Sequence, residues 1–211
     1  MDLFTVKRCF NCPNRLFELD LLEDEFRKVL AASKLNERLA ERVNFSKPMH
    51  HQMFHLALAG CPNACSQPQV KDFGVIGQVV PEASGSCNGC GACAKVCPEN
   101  AISIKDQKAT INRKLCLNCG QCIRACPPEA MQAARSGFQV LAGGKLGRHP
   151  RLASNLIELT NTDGAAKSLQ MCLDLLLDEG QPGERFGDII ERTNFSIKPD
   201  DITTFITVTN F

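Results

Sequence analysis

The sequence predicts an α+β fold of the α/β-like kind, in which a mixed β-sheet domain is interrupted by a small cysteine-rich domain. Segments with a helical repeat of apolar residues are mixed along the chain with short strand-like segments. A block dense in Cys, Gly and Pro lies between two of those strand-like segments. We therefore predict three parts, namely residues 1–82, 83–135 and 136–211.

The first part is predicted to hold helices followed by strands. Residues 15–43 are largely helical in pattern: "FELDLLEDEFRKVL" repeats apolar residues at three- and four-residue steps, with acids early and bases later, and "KLNERLAERV" follows. "FHLALAG" predicts a strand that ends at Gly60, and "DFGVIGQVVP" predicts another.

The third part is predicted to complete the sheet and return to helix. "GFQVLAGG" predicts a third strand, and its pairing with "DFGVIGQVV" would make the block between them an insertion at a strand connection, a place where insertions are tolerated. "GAAKSLQMCLDLLLDEG", bounded by glycines, and the shorter "GERFGDIIERTNF" predict two helices.

Composition limits the class of protein. The chain of 211 residues has 24 Lys+Arg against 23 Asp+Glu, so its charge gives no bulk attraction to nucleic acid or to a membrane surface. No apolar run approaches the roughly 20 residues of a bilayer span, and "MDLFTVKRCF" lacks the apolar centre of a signal peptide. Thirteen cysteines then point to metal binding rather than disulfides. We expect a cytoplasmic metalloprotein.

Two cysteine runs carry the strongest signal. "CNGCGACAKVCP" and "CLNCGQCIRACP" both follow C-x2-C-x2-C-x3-C-P, and in this respect the block resembles the bacterial two-cluster ferredoxins over about 45 residues. In that pattern three thiolates of a run bind one cluster and the fourth binds the other. One predicted [4Fe–4S] set is Cys87, Cys90, Cys93 and Cys126, and the other is Cys116, Cys119, Cys122 and Cys97.

The charge of this block predicts its partner. Bases outnumber acids there, so we expect an acidic electron-donor protein or reductase subunit to dock on it. The bases are Lys95, Lys105, Lys108, Arg113, Lys114 and Arg124.

Five cysteines remain outside the two runs. Cys172 lies on the apolar side of a predicted helix and is expected to be a buried core thiol. The other four form two close pairs, Cys9 with Cys12 and Cys61 with Cys65. Four thiolates can close either a third [4Fe–4S] site or an all-cysteine zinc site, and spacing alone does not separate the two.

The surroundings of the second pair resemble a known family. "GCPNACSQPQVKDFGVIG" is similar to the cluster-binding signature of the siroheme-dependent sulfite and nitrite reductases, "GGKLGRHPRLA" to the segment that follows it there, and "GERFGDIIERTNF" to the end of that family's repeat. The resemblance implies a mixed-sheet repeat domain in which four cysteines hold one cubane and the last also bridges to siroheme iron. Carried over, Cys61 and Cys65 are the second pair, with Cys65 in the bridging position.

The first pair departs from that family. Its cysteines are normally spaced C-x5-C, whereas Cys9 and Cys12 are spaced C-x2-C. Either the loop is rebuilt around a cubane or one of these two cysteines is not a ligand.

A siroheme or an oxyanion needs cationic contacts, and guanidinium groups suit both. The candidates are Lys145, Arg148, His149 and Arg151 in "KLGRHPR", and Arg8 and Arg15 beside the first cysteine pair. No catalytic residue is assigned. His50, His51 and His55 are expected to form a turn and a strand start.

Three hypotheses follow. In the first, the chain is a redox enzyme component that passes electrons from two ferredoxin clusters to a third cluster and on to siroheme, for reduction of sulfite or nitrite. The sequence begins eight residues before its first cysteine, so we expect a second copy or another subunit to supply what precedes the cluster motif in the family and to complete the pocket. In the second, the chain is a three-cluster electron carrier without siroheme. In the third, the four cysteines outside the runs form a structural zinc site.

Overall fold

A five-stranded mixed sheet organises the computed structural model, which describes residues 2–41, 48–198 and 201–202. The strands in chain order are β1 (Phe4–Arg8), β2 (Phe54–Ala59), β3 (Phe73–Ala83), β4 (Ile102–Lys105), β5 (Lys108–Ile111), β6 (Met131–Ala142) and β7 (Ser154–Thr160). The helices are α1 (Asp20–Ala32), α2 (Leu35–Ala40), α3 (Ala92–Lys95), α4 (Gln121–Arg124), α5 (Thr162–Glu179) and α6 (Phe186–Thr193).

The main sheet has the order β1-β2-β3-β6-β7, and β4 and β5 form a separate antiparallel hairpin. Strands β1, β2 and β3 run parallel, whereas β3–β6 and β6–β7 are antiparallel, so the sheet is mixed as predicted. Because Arg8 of β1 lies beside Leu58 of β2, the carboxyl ends of these two strands meet at one edge of the sheet.

Helices α1 and α5 cover one face of this sheet. The buried positions of α1 are Leu22, Phe26 and Leu30, a four-residue repeat that places them on one side of the helix. The Phe26 ring packs edge-on against Phe73 of β3, with 5.6 Å between ring centres. Cys172 of α5 is fully buried in the same core, as predicted.

The two helical stretches predicted within residues 15–43 are present as α1 and α2. Helix α1 begins only at Asp20, and Lys34, in the left-handed conformation at φ 54°, separates it from α2. The end of the predicted second helix, from residue 42, lies outside the described residues. Strands β1 and β7 were not predicted, because both are partly exposed and neither shows a clear apolar alternation.

The predicted pairing of the two longest strands is present. Strands β3 and β6 pair from Phe73–Ala142 to Ala83–Met131, and the chain between them leaves the sheet and returns to it. This segment between β3 and β6, residues 84–130, is called the excursion below, and it contains the β4–β5 hairpin and the short helices α3 and α4. It has a small core of its own, made of Cys93, Ile102, Ala109, Cys122 and Met131. No helix in the described part of the chain is long and apolar enough to span a bilayer.

Candidate metal centres

The two cysteine pairs outside the runs meet at the edge where β1 and β2 end. Cys9 directly follows β1, and Cys61 lies two residues after β2. The Cys9 N–H donates to the Leu58 carbonyl at 3.0 Å, which continues the ladder between the strands. The Gly60 N–H in turn donates to the Cys9 sulfur at 3.3 Å. Parallel pairing therefore brings together two cysteines that are far apart in sequence.

The loop after Cys9 folds back over the end of β2. The Arg15 N–H donates to the Cys12 carbonyl at 3.2 Å, and the Leu16 N–H donates to the Gly60 carbonyl at 2.9 Å. A Cβ at Gly60 would stand 2.5 Å from Cγ of Arg15. The close approach of this loop thus requires glycine at position 60.

The Cys61–Cys65 loop is a tight reversal. The Ala64 N–H donates to the Cys61 carbonyl at 3.1 Å, and Ala64 adopts the left-handed conformation at φ 51°. The Ser66 hydroxyl donates to the Leu58 carbonyl at 2.8 Å and fastens the loop to β2. The Asn63 amide donates to the Cys65 sulfur at 3.1 Å. Cys61 is buried, whereas Cys65 faces solvent.

Cys9, Cys12 and Cys65 all lie close enough to Cys61 to act on it electrostatically. Burial raises the pKa of the Cys61 thiol, and the neighbouring Cys12, Cys9 and Cys65 raise it further. A thiolate is therefore unfavourable at Cys61 without a nearby cation, and bound metal supplies that charge. The arrangement suits a metal centre rather than a set of reactive free thiols.

The two cysteine runs are built alike. Gly91 at φ 79° precedes α3 and Gly120 at φ 71° precedes α4, so each run turns from its first two cysteines into a single helical turn. Backbone N–H groups then point at the sulfurs. Ala109 donates to Cys87 at 3.4 Å, Ala101 to Cys97 at 3.3 Å, and Met131 to Cys126 at 3.3 Å. Such bonds stabilise the charge on ligated thiolates.

The buried thiols Cys93 and Cys122 have other cysteines as electrostatic neighbours. Burial raises the pKa of Cys93, and Cys126 and Cys87 raise it further. Burial likewise raises the pKa of Cys122 to about 12, with added effects of Cys116 and Cys119 and a smaller one of Cys93. Hydrogen bonds from Gly89 and Ala109 lower the pKa of Cys87, and Lys108 contributes in the same direction.

Within the described ranges, no three His, Cys, Asp or Glu side chains are arranged to hold a single metal ion. A [4Fe–4S] cluster binds each thiolate through a different iron, so its four sulfurs stand farther apart than four sulfurs on one zinc ion. Backbone N–H groups directed at the sulfurs would stabilise thiolates bound to such a cluster.

Four of the six predicted cationic residues are paired with acids. Lys145 pairs with Asp188 of α6, and Arg151 pairs with Glu191 at 2.6 Å and also donates to the Gly187 carbonyl. Arg8 donates to Asp20 at 2.6 Å, which lowers the pKa of that carboxyl, and Arg15 pairs with Glu18.

The remaining two, Arg148 and His149, are exposed on the turn between Lys145 and Arg151. Arg8 and Arg15 thus bind acids of the N-terminal region, and Lys145 and Arg151 bind α6. The structure does not bring the six together as one cationic cluster.

One buried polar group was not predicted from the sequence. The Asp72 carboxylate, just before β3, accepts a hydrogen bond from the backbone N–H of His55 at 2.8 Å and lies 3.7 Å from the Arg185 guanidinium. Burial raises the pKa of Asp72 to about 6 and lowers the pKa of His55 to about 4. The His55 ring also bonds the Thr5 hydroxyl and the His50 carbonyl, both at 2.7 Å. The sequence signal for this group is that Asp72 directly precedes the apolar strand segment "FGVIGQVV".

Fold and cysteine arrangement together define an iron–sulfur redox domain built on a mixed sheet. Residues 23–196 match the family model described as the nitrite and sulphite reductase 4Fe-4S domain, and the chain belongs to this family. The predicted family is thereby confirmed. The predicted α+β class with a mixed sheet is confirmed by the fold itself.

Two curated relatives carry sulfite reductase names. The coenzyme F420-dependent sulfite reductase of Methanocaldococcus jannaschii is 44% identical over 106 residues, which are 50% of this chain and 17% of that protein. An anaerobic sulfite reductase subunit of Salmonella typhimurium is 34% identical over 79 residues, which are 36% of this chain and 22% of that protein. The matches thus span about a fifth of the length of these relatives.

One solved structure extends the likeness to nearly the whole fold. Dissimilatory sulfite reductase I superposes with a TM-score of 0.60 at 18% identity, covering 95% of this chain and 54% of that one. At this identity the superposition shows a shared fold.

Proposed function

We propose that the chain is an electron-transferring iron–sulfur component of a sulfite or nitrite reductase. In this proposal electrons enter at two [4Fe–4S] clusters and reach a third held by Cys9, Cys12, Cys61 and Cys65. The observation that carries it is the meeting of those two cysteine pairs at the shared end of β1 and β2. Membership of the reductase family supports a cubane there in preference to zinc.

The proposed domain division is 1–82, 83–135 and 136–211, with the middle part a ferredoxin domain. The β3–β6 pairing on either side of the excursion supports it, and so does the separate small core of the excursion. The proposed ligand sets are Cys87, Cys90, Cys93 and Cys126 for one cluster, and Cys116, Cys119, Cys122 and Cys97 for the other. This assignment is supported by the neighbours of Cys93, which are Cys126 and Cys87, and by the larger effects on Cys122, which come from Cys116 and Cys119 ahead of Cys93.

Siroheme is the proposed final electron acceptor on the protein. When bound, its iron supplies the bond-making chemistry, and the protein sets ligation, electrostatic field and access. Cys65 is the proposed bridging ligand because it is the exposed member of its pair. Arg148 and His149 are the proposed contacts to siroheme carboxylates, since they are exposed and lie beside a loop anchored by Lys145 and Arg151.

A second subunit is proposed to complete the pocket, either another copy of this chain or a different protein. The name of the Salmonella relative, which is that of one subunit of a sulfite reductase, supports a multi-subunit enzyme. The proposed electron donor is an acidic protein, because the exposed surface of the excursion carries Lys95, Lys105, Lys108, Arg113 and Lys114.

A second candidate function is electron transfer without siroheme. The pairing of Arg8, Arg15, Lys145 and Arg151 with acids favours it, because cations already neutralised in this way have less charge to offer a siroheme or an anion. In that case the third cluster would be the exit to another protein.

One measurement separates these candidates, namely the metal content and visible spectrum of protein purified without oxygen from a siroheme-making host. Three cubanes require about twelve irons per chain, and siroheme adds one iron with absorption bands in the red. Red bands with thirteen irons support the reductase component, and twelve irons without red bands support the carrier. Eight irons with one zinc would contradict the proposed third cluster and support a zinc site in its place.

The variant Cys65→Ser tests the ligand assignment. It should remove the third cluster and leave the spectra of the other two unchanged, with Cys172→Ser as a control outside all three sets. Loss of all three clusters in Cys65→Ser alone would mean that the ligands are wrongly assigned.

A further inference from the structure

We propose that Arg124 is a positioning residue that clamps the loop of residues 12–17 to the second cysteine run. The cluster of Cys116, Cys119 and Cys122 is then the one that passes electrons to the third site. This inference rests on the proposed function for its clusters, whereas the clamp itself is a property of the protein chain.

The clamp consists of two hydrogen bonds from one guanidinium group. Arg124, the last residue of α4, donates from Nη1 to the Pro13 carbonyl at 2.7 Å and from Nη2 to the Arg15 carbonyl at 2.9 Å. Both acceptors lie in the loop that begins at Cys12. A planar guanidinium makes two bonds at a fixed separation, which a single ammonium group cannot reproduce. Arg124 therefore fixes both the distance and the orientation of this loop.

Packing beside the clamp is equally close. A Cβ at Gly120, the residue that turns the second run into α4, would stand 2.6 Å from Val79 and 3.3 Å from Leu16. Leu16 is itself held by its N–H bond to the Gly60 carbonyl. The second run, β3 and the Cys12 loop therefore meet with no room for a side chain between them.

The sheet places the second run in line with the end of β2. The Val79 N–H donates to the Asn118 carbonyl at 2.9 Å, and Val79 and Cys119 form a parallel bridge. Since Val79 pairs with Ser136 of β6 on its other side, Cys119 occupies the edge of β3 that β2 occupies earlier. Val79 lies three residues beyond Ile76, the partner of Ala59, so Cys119 stands about 10 Å past Ala59 along the sheet.

The first run is held by a different element. A Cβ at Gly89 would stand 2.8 Å from the Gln107 backbone, in the turn of the β4–β5 hairpin, and the Cys87 sulfur is bonded by Ala109 of β5. Lys105 and Lys108 flank that turn and are exposed. The first run thus faces the basic surface proposed for the donor, and the second run faces the third site.

The step assigned to this contact is a single-electron transfer. The cluster held by Cys116, Cys119 and Cys122 is oxidised by one electron, and the cluster held by Cys9, Cys12, Cys61 and Cys65 is reduced by one. No bond is made or broken and no proton moves. A low-potential one-electron donor then reduces the cluster of Cys116, Cys119 and Cys122 again, and dithionite serves as that donor in the test.

The test compares Arg124→Gln with Arg124→Lys and with Arg135→Gln, which removes one exposed positive charge from β6, outside the proposed donor surface. Hydrogen exchange of the anaerobic, metal-loaded protein should show peptides covering residues 12–17 exchanging at least tenfold faster in Arg124→Gln. After mixing with dithionite, the third cluster should be reduced at least tenfold more slowly, with its potential and the iron content unchanged. Arg124→Lys should lie between, and Arg135→Gln should match the parent.

Unchanged exchange in Arg124→Gln would overturn the clamp. Faster exchange with an unchanged reduction rate would overturn the electron route while leaving the clamp in place. An equal slowing in Arg135→Gln would show an effect of overall charge and would also overturn the route. An iron count that lacks the third cluster in the parent protein would refute the proposed function, whereas the exchange result would still report on the clamp. Should Arg124→Gln lose iron, Leu16→Ala tests the same contact from the other side.

Discussion

The backbone N–H of Gly60, the residue before Cys61, donates a hydrogen bond to the sulfur of Cys9 at 3.3 Å. This bond joins the chain just after β2 to the first residue after β1, and it puts both candidate cysteine pairs at one end of the sheet. Its geometry follows from the parallel register of the two strands, in which Arg8 lies beside Leu58. The candidate third site therefore depends on the pairing of β1 with β2.

Asn63 is predicted to tune the potential of the third cluster. Its amide donates to the Cys65 sulfur, and a hydrogen bond to a ligand favours the more negative, reduced state of a cluster. Asn63→Leu should lower that potential by about 40 mV, which corresponds to about 1 kcal/mol for one electron. A redox titration followed by electron paramagnetic resonance measures it. The two clusters of the excursion provide the internal control, and a shift of all three potentials would contradict the assignment.

Gly60 is predicted to be required for the third site. A side chain there would collide with Arg15 and with the carbonyl of Phe17, and so displace the loop that carries Cys12. Gly60→Ala should reduce the iron content from about twelve to about eight per chain, with the other two clusters retained. Gly85→Ala is the matched control, because a Cβ at Gly85 has no neighbour within 4 Å. Full iron content in Gly60→Ala would show that the loop tolerates the displacement.

Arg151 is predicted to be structural, in contrast to Arg148 on the same loop. Arg151 holds α6 through Glu191 and the Gly187 carbonyl, whereas Arg148 is exposed. Arg151→Ala should lower the free energy of unfolding by about 2 kcal/mol through the loss of charge-assisted hydrogen bonds. Arg148→Ala should leave the melting temperature unchanged and lower the siroheme content of the purified protein. Equal melting temperatures for the two variants would contradict this division.

Asp72 is predicted to make stability depend on pH. Its pKa is about 6 in the folded chain, above the usual value of 3.8, because burial disfavours the charged form. As the pH falls, Asp72 therefore becomes protonated at a higher pH in the folded state than in the unfolded state, and this stabilises the folded state. The stabilisation is lost as the pH rises through 6. Relative to Asp72→Asn, the parent should gain about 1 kcal/mol in free energy of unfolding between about pH 7.5 and 5.

Melting temperatures of the two proteins across this pH range check that prediction, and their difference removes effects common to both. His55 acts in the opposite direction, because its lowered pKa makes the folded state lose stability as the pH falls from 6.5 towards 4. Both proteins retain His55, so its effect cancels in the comparison. A difference that stays constant with pH would contradict the raised pKa of Asp72.

The sequence by itself determined the class of this protein. Two C-x2-C-x2-C-x3-C-P runs and the stretch "GCPNACSQPQVKDFGVIG" are local patterns, in which spacing along the chain carries the chemical information. The helices around Phe26 and Cys172, and strands β2, β3 and β6, were also predictable, because each buries a periodic set of apolar residues.

Only the tertiary structure decided which distant residues meet. Strand β1 has five residues, of which three are exposed, and the sequence pattern does not indicate it. Its parallel pairing with β2 nevertheless brings Cys9 and Cys12 to Cys61 and Cys65. The sequence likewise gives no sign that Arg124 donates to the carbonyls of Pro13 and Arg15. Nor does it indicate which acids pair with Lys145 and Arg151. Contacts of this kind depend on strand order and register, which local spacing does not encode.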